Sequence, residues 1–126
     1  MTRVIVSEDC GNSPKNLFLQ KLTIAFAKRD TKFILESVTD DIRWNILSDN
    51  LIEGKDNFAK ALENLEKDTT MEISIQHIAT HGKAGFVDGI TQLKNGKTYA
   101  YCDAYTFNNT KGTTVREITS YLIVIK

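Results

Sequence analysis

Apolar residues between Leu17 and Phe26 return at helical spacing, with Leu17, Phe18, Leu22, Ala25 and Phe26 marking one face of an amphipathic helix from about Pro14 to Arg29. Ser13 supplies an N-cap and Pro14 fits the first helical position, where its missing N–H costs nothing. Asp30 caps a second predicted helix carrying Phe33, Ile34, Leu35 and Val38. That helix is expected to stop near Asp40-Asp41, where short carboxylates compete for backbone hydrogen bonds. The period then drops to two, and Ile42, Trp44 and Ile46 fall on one face of a strand. Beyond a loop through Gly54, Asp56 caps a third helix whose Phe58, Ala61, Leu62 and Leu65 repeat at i, i+3, i+4, i+7.

After Lys67 the pattern is that of strands and tight turns. Met71, Ile73 and Ile75 alternate with Glu72, Ser74 and Gln76, and His81-Gly82 supplies a turn. A strand from Ala84 to Leu93 meets the next at Asn95-Gly96, a strong hairpin signal. Lys97 to Phe107 alternates again, with Tyr99, Tyr101, Asp103, Tyr105 and Phe107 on one face and Ala100, Cys102 and Ala104 on the other. A looser turn over Asn108 to Gly112 leads into a last strand, Val115 to Ile125.

Helices precede a four-strand meander and nothing alternates as β-α-β, so the class is α+β. The expected architecture is a cone-like, curved antiparallel sheet, covered on its concave face by three N-terminal helices and enclosing one pocket. Residues 13–126 read as a single domain. Residues 1–12 read as an N-terminal extension whose Arg3-Val4-Ile5-Val6 either adds a strand to an edge or remains disordered.

Composition narrows the function classes. A chain of 126 residues can bury a core without disulfides. Sixteen basic residues balance sixteen acidic ones, which leaves no clustered charge for nucleic acid or an anionic membrane. No apolar stretch approaches the ~20 residues of a membrane span, and Val4-Ile5-Val6 is too short for an export signal. Cys10 and Cys102 form neither a disulfide framework nor a metal-binding spacing, so a reduced, cytoplasmic setting is expected. His77 and His81 lie about 13 Å apart on an extended strand and cannot share an ion, so no metal site is expected.

Arg29-Asp30 between the first two helices, Asp40-Asp41 before Ile42-Arg43-Trp44, the Gly54, Phe58, Leu62 helix and the closing Gly112, Val115-Arg116-Glu117-Ile118, Tyr121 resemble the nuclear transport factor 2-like superfamily over roughly Pro14 to Val124. Within it the chain is most similar to the branch of ketosteroid isomerases, SnoaL-like polyketide cyclases and limonene epoxide hydrolases. The resemblance implies a pocket for a small hydrophobic molecule, cofactor-free chemistry, and a homodimer through the convex sheet face, where Ala100, Cys102 and Ala104 suit close packing. By its place in the strand Asp103 matches the acid that helps form the isomerase oxyanion hole. The isomerase general base, however, falls on Ile46, and the tyrosine of the first helix on Leu22. The epoxide hydrolase Arg falls near Phe86 and its second Asp near Ser120. Neither borrowed mechanism is complete.

The residues themselves leave the following candidates. Asp103 is a catalytic candidate flanked by Tyr101 and Tyr105; it is otherwise a half-buried acid satisfied by a neighbouring strand. Asp88 is the second, as a base, if Phe86, Asp88, Ile90 and Gln92 face the concavity; otherwise it pairs near a turn or caps an edge. Trp44, Ile46, Phe86, Gln92, Tyr101 and Tyr105 are the expected ligand-binding residues, with core packing the alternative for Trp44. Cys102, on the face opposite Asp103, is no nucleophile for the same pocket. Of Arg116 and Glu117 only one can enter the cavity. A binding module without catalysis and a protein-interaction domain using the sheet face are the competing functions.

Overall fold

The computed structural model describes residues 2–8, 13–47, 50–64, 70–110 and 112–125. In chain order the elements are β1 (Arg3–Val6), α1 (Pro14–Lys28), α2 (Thr31–Glu36), β2 (Val38–Ile46), β3 (Leu51–Glu53), α3 (Lys55–Asn64), β4 (Thr70–His81), β5 (Ala84–Leu93), β6 (Thr98–Phe107) and β7 (Val115–Val124). Cys10 and Leu65 lie outside the described residues.

Helix α1 starts where Ser13 Oγ accepts a hydrogen bond from the Asn16 N–H at 3.2 Å, with Pro14 in its first turn. It ends at Arg29, the one non-glycine residue with positive φ (60°) among the described residues. Asp30 then caps α2 by accepting from the Phe33 N–H at 3.3 Å. This helix is shorter than the sequence pattern predicts. Ser37 closes it by donating its hydroxyl to the Phe33 carbonyl at 2.7 Å, and Val38 already pairs with Val115 as part of β2. Val38 and Thr39 are β-branched and extend readily, so Asp40-Asp41 sit exposed within a strand instead of at a helix end.

The seven strands form one sheet in the order β1-β4-β5-β6-β7-β2-β3. It is mixed rather than wholly antiparallel, because β1 joins β4 and β2 joins β7 in parallel. Both parallel partners are separated in sequence by long connections, which is what parallel pairing requires. The β4-β5-β6-β7 meander is antiparallel throughout. Arg3-Val4-Ile5-Val6 does add an edge strand, with Val4 and Val6 packed against the core.

Core side chains come from all three helices and the concave face of the sheet: Leu19, Leu22 and Ala25 of α1, Ile34 of α2, and Phe58 and Leu62 of α3 meet Ile42, Trp44, Ile75, Val87, Phe107, Val115 and Ile118. Phe26, Trp44 and Phe58 form a mutual aromatic cluster, with ring centroids 5.4 to 6.5 Å apart. Extra residues at Met71 and Gln76 bulge β4 against β5. The bulge at Gln76 keeps Ile75 and then Ile78 on the inner side, and that at Met71 leaves Met71 exposed. The same sheet therefore bends and keeps its apolar phase.

Candidate functional site

On β6 the alternation of Tyr99, Tyr101, Asp103 and Tyr105 turns all four inward, where they line a cavity of about 490 Å³ beneath the helices. β7 supplies Ile118, Ser120 and Leu122, directly opposite Tyr105, Asp103 and Tyr101 in the ladder. β2 supplies Trp44 and Ile46, and α1 supplies Thr23, Phe26 and Ala27. Most of this wall is aromatic or aliphatic, and the polar groups converge from several elements.

The centre of the polar group is a chain of three residues. Trp44 Nε1–H donates to Ser120 Oγ at 2.9 Å, which frees the serine hydroxyl proton for the Asp103 carboxylate. Burial pushes the Asp103 carboxyl up to about 6, and the Ser120 hydrogen bond, by favouring the ionised form, opposes that rise. Asp103 thus faces the cavity and is also bonded to its neighbouring strand, so the two sequence readings describe one arrangement. Tyr105 is raised well above the ordinary tyrosine range, first by burial and then by the Asp103 charge, against a hydrogen bond with Thr23. Thr23 Oγ1 itself donates to the Leu19 carbonyl at 2.8 Å, which leaves Tyr105 as the donor to Thr23. Tyr101 donates its hydroxyl to the Ser74 carbonyl at 2.8 Å.

Arg29 also lines the cavity, its Nη1 donating to the Phe26 carbonyl at 2.8 Å. The left-handed backbone at this position carries the side chain off the end of α1 and into the wall. The cavity therefore holds one carboxylate and one guanidinium among its lining residues. Thr70, Thr91 and Leu93 also line it.

Trp44, Ile46, Tyr101, Tyr105 and Asp103 stand in the cavity wall. Phe86, Asp88 and Gln92 do not, and the facing expected for β5 is reversed. Directly opposed residues of an antiparallel pair share a face, and Val87, Gly89 and Thr91 oppose Asp103, Tyr101 and Tyr99. Phe86, Asp88, Ile90 and Gln92 therefore occupy the outer face. Asp88 Oδ1 lies 2.9 Å from His77 Nδ1 there, and Phe86 is exposed. The glycines explain the reversed facing. A Cβ on Gly89 would fall 1.9 Å from the Ser74 carbonyl oxygen and 2.9 Å from the Tyr101 hydroxyl, and one on Gly85 would fall 2.9 Å from Leu19 Cδ1. The inner positions of β5 are small because their neighbours fill the space, so side-chain hydrophobicity pointed to the wrong face.

Neither Arg116 nor Glu117 enters the cavity. Phe107 pairs with Val115 and Thr106 with Glu117, so Arg116 is the extra residue of a bulge, and Glu117 turns outward to Arg43 at 3.6 Å. Cys102 is on the outer face, and burial followed by the charges of Asp103 and Asp88 raises its thiol. Among the described residues no group of three or more His, Cys, Asp or Glu is placed to hold a metal ion, and no helix is long and apolar enough to cross a membrane. Ser120, Thr23, Arg29, Tyr99 and Leu122 were not singled out from sequence as site residues. The alternation of Ile118, Ser120 and Leu122 carried the signal for two of them, but the length of the preceding turn concealed the register.

No protein-family model and no curated protein sequence matches the chain. Solved structures do match its fold. An NTF2-like protein of unknown function from Burkholderia pseudomallei superposes with a TM-score of 0.72 at 14% identity, over 88% of this chain and 92% of that one. A putative ketosteroid isomerase from Kribbella flavida gives 0.74 at 10% identity, over 89% and 79%. An LEH-like epoxide hydrolase from Mycobacterium tuberculosis gives 0.71 at 15% identity, over 84% and 80%. The chain has the NTF2-like fold.

Proposed function

We propose that this protein binds a small, largely apolar molecule bearing a carbonyl or hydroxyl group and moves a proton on it without a cofactor, using Asp103 as the single acid–base group. The observation that carries this reading is a carboxyl raised to about 6 in a cavity walled mainly by aromatic and aliphatic side chains. A group of that strength is chiefly ionised at neutral pH, and its conjugate acid is strong enough to return the proton, as an isomerisation or cyclisation demands. Ser120 and Trp44 fix the carboxylate, Tyr101 and Tyr105 wall the ligand, and Ile46 packs against it. The isomerase and epoxide hydrolase descriptions of fold neighbours are consistent with such a pocket. Ile46 at the place of the isomerase base and Leu22 at that of its tyrosine argue against true steroid isomerisation.

One observation favours a second reading, a binding module without catalysis. The Tyr101 hydroxyl donates to Ser74, and the Trp44 N–H is held by Ser120, so neither is free to stabilise a developing oxyanion. The two readings part on proton exchange. Under the enzymatic one, deuterium exchange at the α-carbon of a bound ketone, followed by NMR, rises with pH through about 6 and disappears in Asp103→Asn while ligand affinity persists. Exchange at the buffer rate in the unaltered protein leaves the binding module.

The free thiol of Cys102 suits a reducing, cytoplasmic compartment. A homodimer through the outer face of the sheet is part of the proposal. Ala100, Cys102 and Ala104 there are flanked by Ile90, Phe86, Tyr121 and Ile123, an apolar row interrupted opposite Cys102 by Asp88, which pairs with His77, and bounded by Arg43 and Glu117.

A further inference from the structure

Strand β7 runs from the cavity wall, at Ile118, Ser120 and Leu122, to an exposed end at Val124. Asp103 opposes Ser120, Tyr101 opposes Leu122, and Tyr99 opposes Val124, so the inward residues of the β6–β7 pair run in steps of two from the polar centre to the end of the sheet. Each step is roughly 7 Å along an extended chain, so Val124 lies about 13 Å from Ser120. Leu122 belongs to two environments at once. It lines the cavity, yet 54% of it is exposed, and Val124 beyond it is 66% exposed. The pairing of β2 with β7 ends at Ile46 and Ser120, so among the described residues this last part of β7 is paired with β6 on one side and with no strand on the other. Ile46 and Leu93 line the same cavity.

A row that is polar at its buried end and aliphatic at its exposed end complements one kind of molecule. We infer that the cavity continues into a track for the aliphatic chain of an amphiphilic ligand, whose oxygen-bearing end lies at Asp103 and Ser120 and whose chain runs out over Leu122 and Val124. Leu122 and Val124 are then the residues that set preference for chain length. The inference rests on the pocket reading above and adds the substrate class to it. Continuity with the cavity singles out a ligand chain over a second copy of the protein: Ile123 and Tyr121 of the same strand project to the outer face, whereas Leu122 projects into the hollow itself.

The chain contains a single tryptophan, Trp44, which lines the cavity, so its fluorescence reports occupancy of this site. Two homologous series, straight-chain methyl ketones and straight-chain primary alcohols, are titrated against the intact protein below their solubility limits. In both, affinity is expected to climb by roughly fourfold per added methylene until the chain passes Val124, then level off. Leu122→Asp should weaken the longer members about tenfold or more and leave the shortest unchanged. Val124→Asp should weaken only members longer still. Both positions are exposed, so neither change removes a core contact. Affinity independent of length, absence of binding in both series, or equal weakening of short and long members by Leu122→Asp would each overturn the track. So would a Leu122→Asp variant that binds long chains normally but loses self-association, which would give the strand end to a second copy. Absence of α-proton exchange with a length dependence intact would remove the catalytic reading alone.

Discussion

Asp103 carries a cost that its surroundings only partly offset. In the unfolded chain its carboxyl titrates near the ordinary ~3.9, and in the folded protein at about 6. Between those values the native state holds the extra proton, so stability falls as pH rises through this window, and the full cost is present above about 6. Replacing Asp103 with Asn removes the titration and keeps a group that can bond Ser120. The variant should be more stable than the parent by about 3 kcal/mol at neutral pH, a gain of several degrees in melting temperature that vanishes near pH 4. Thermal unfolding of both proteins across that range tests it, and an unchanged or lower melting temperature at neutral pH would contradict the burial of this carboxyl. A residue whose removal stabilises the fold is one held for another purpose.

At the scale of elements, the junction of β4, β5 and β6 depends on absence of bulk. The bulge at Gln76 adjoins the point where Ser74 turns its carbonyl over Gly89, and the Tyr101 hydroxyl crosses the same gap to donate to it. Gly89 has an ordinary φ, so space and not backbone freedom selects it. Gly89→Ala should therefore destabilise by about 3 kcal/mol or more, because backbone has to move. Tyr101→Phe, which removes the hydrogen bond to the Ser74 carbonyl and moves no backbone, should cost only about 1 kcal/mol. Urea unfolding distinguishes them, and equal effects would mean that the strands yield easily at this point.

For the whole molecule, the two faces of the sheet divide the work. The concave face holds the cavity, and the convex face presents Ile90, Ala100 and Ile123 in one row across three strands. A charge placed in the middle of that row by Ala100→Glu should convert the proposed dimer to a monomer, or raise its dissociation constant at least about tenfold, while Trp44 fluorescence still reports ligand. Light scattering over a concentration series reads the result. A parent protein that is monomeric throughout would end the dimer proposal and leave the cavity untouched.

What the sequence determined by itself is local. Caps at Ser13 and Asp30, the period-four face of α3 and the alternations of β2 and β6 follow from neighbours a few residues apart, and the two alternations put Trp44 with Ile46, and Tyr101 with Asp103 and Tyr105, on shared faces. Tertiary structure decided what depends on distant partners. It ended α2 early because Val38 gained a strand partner in Val115, reversed the facing of β5 because Leu19 and Tyr101 fill the space over its glycines, and excluded both Arg116 and Glu117 through a bulge. Parity along a strand is a local property, but which parity faces inward is set by register, and register is fixed by packing across the sheet.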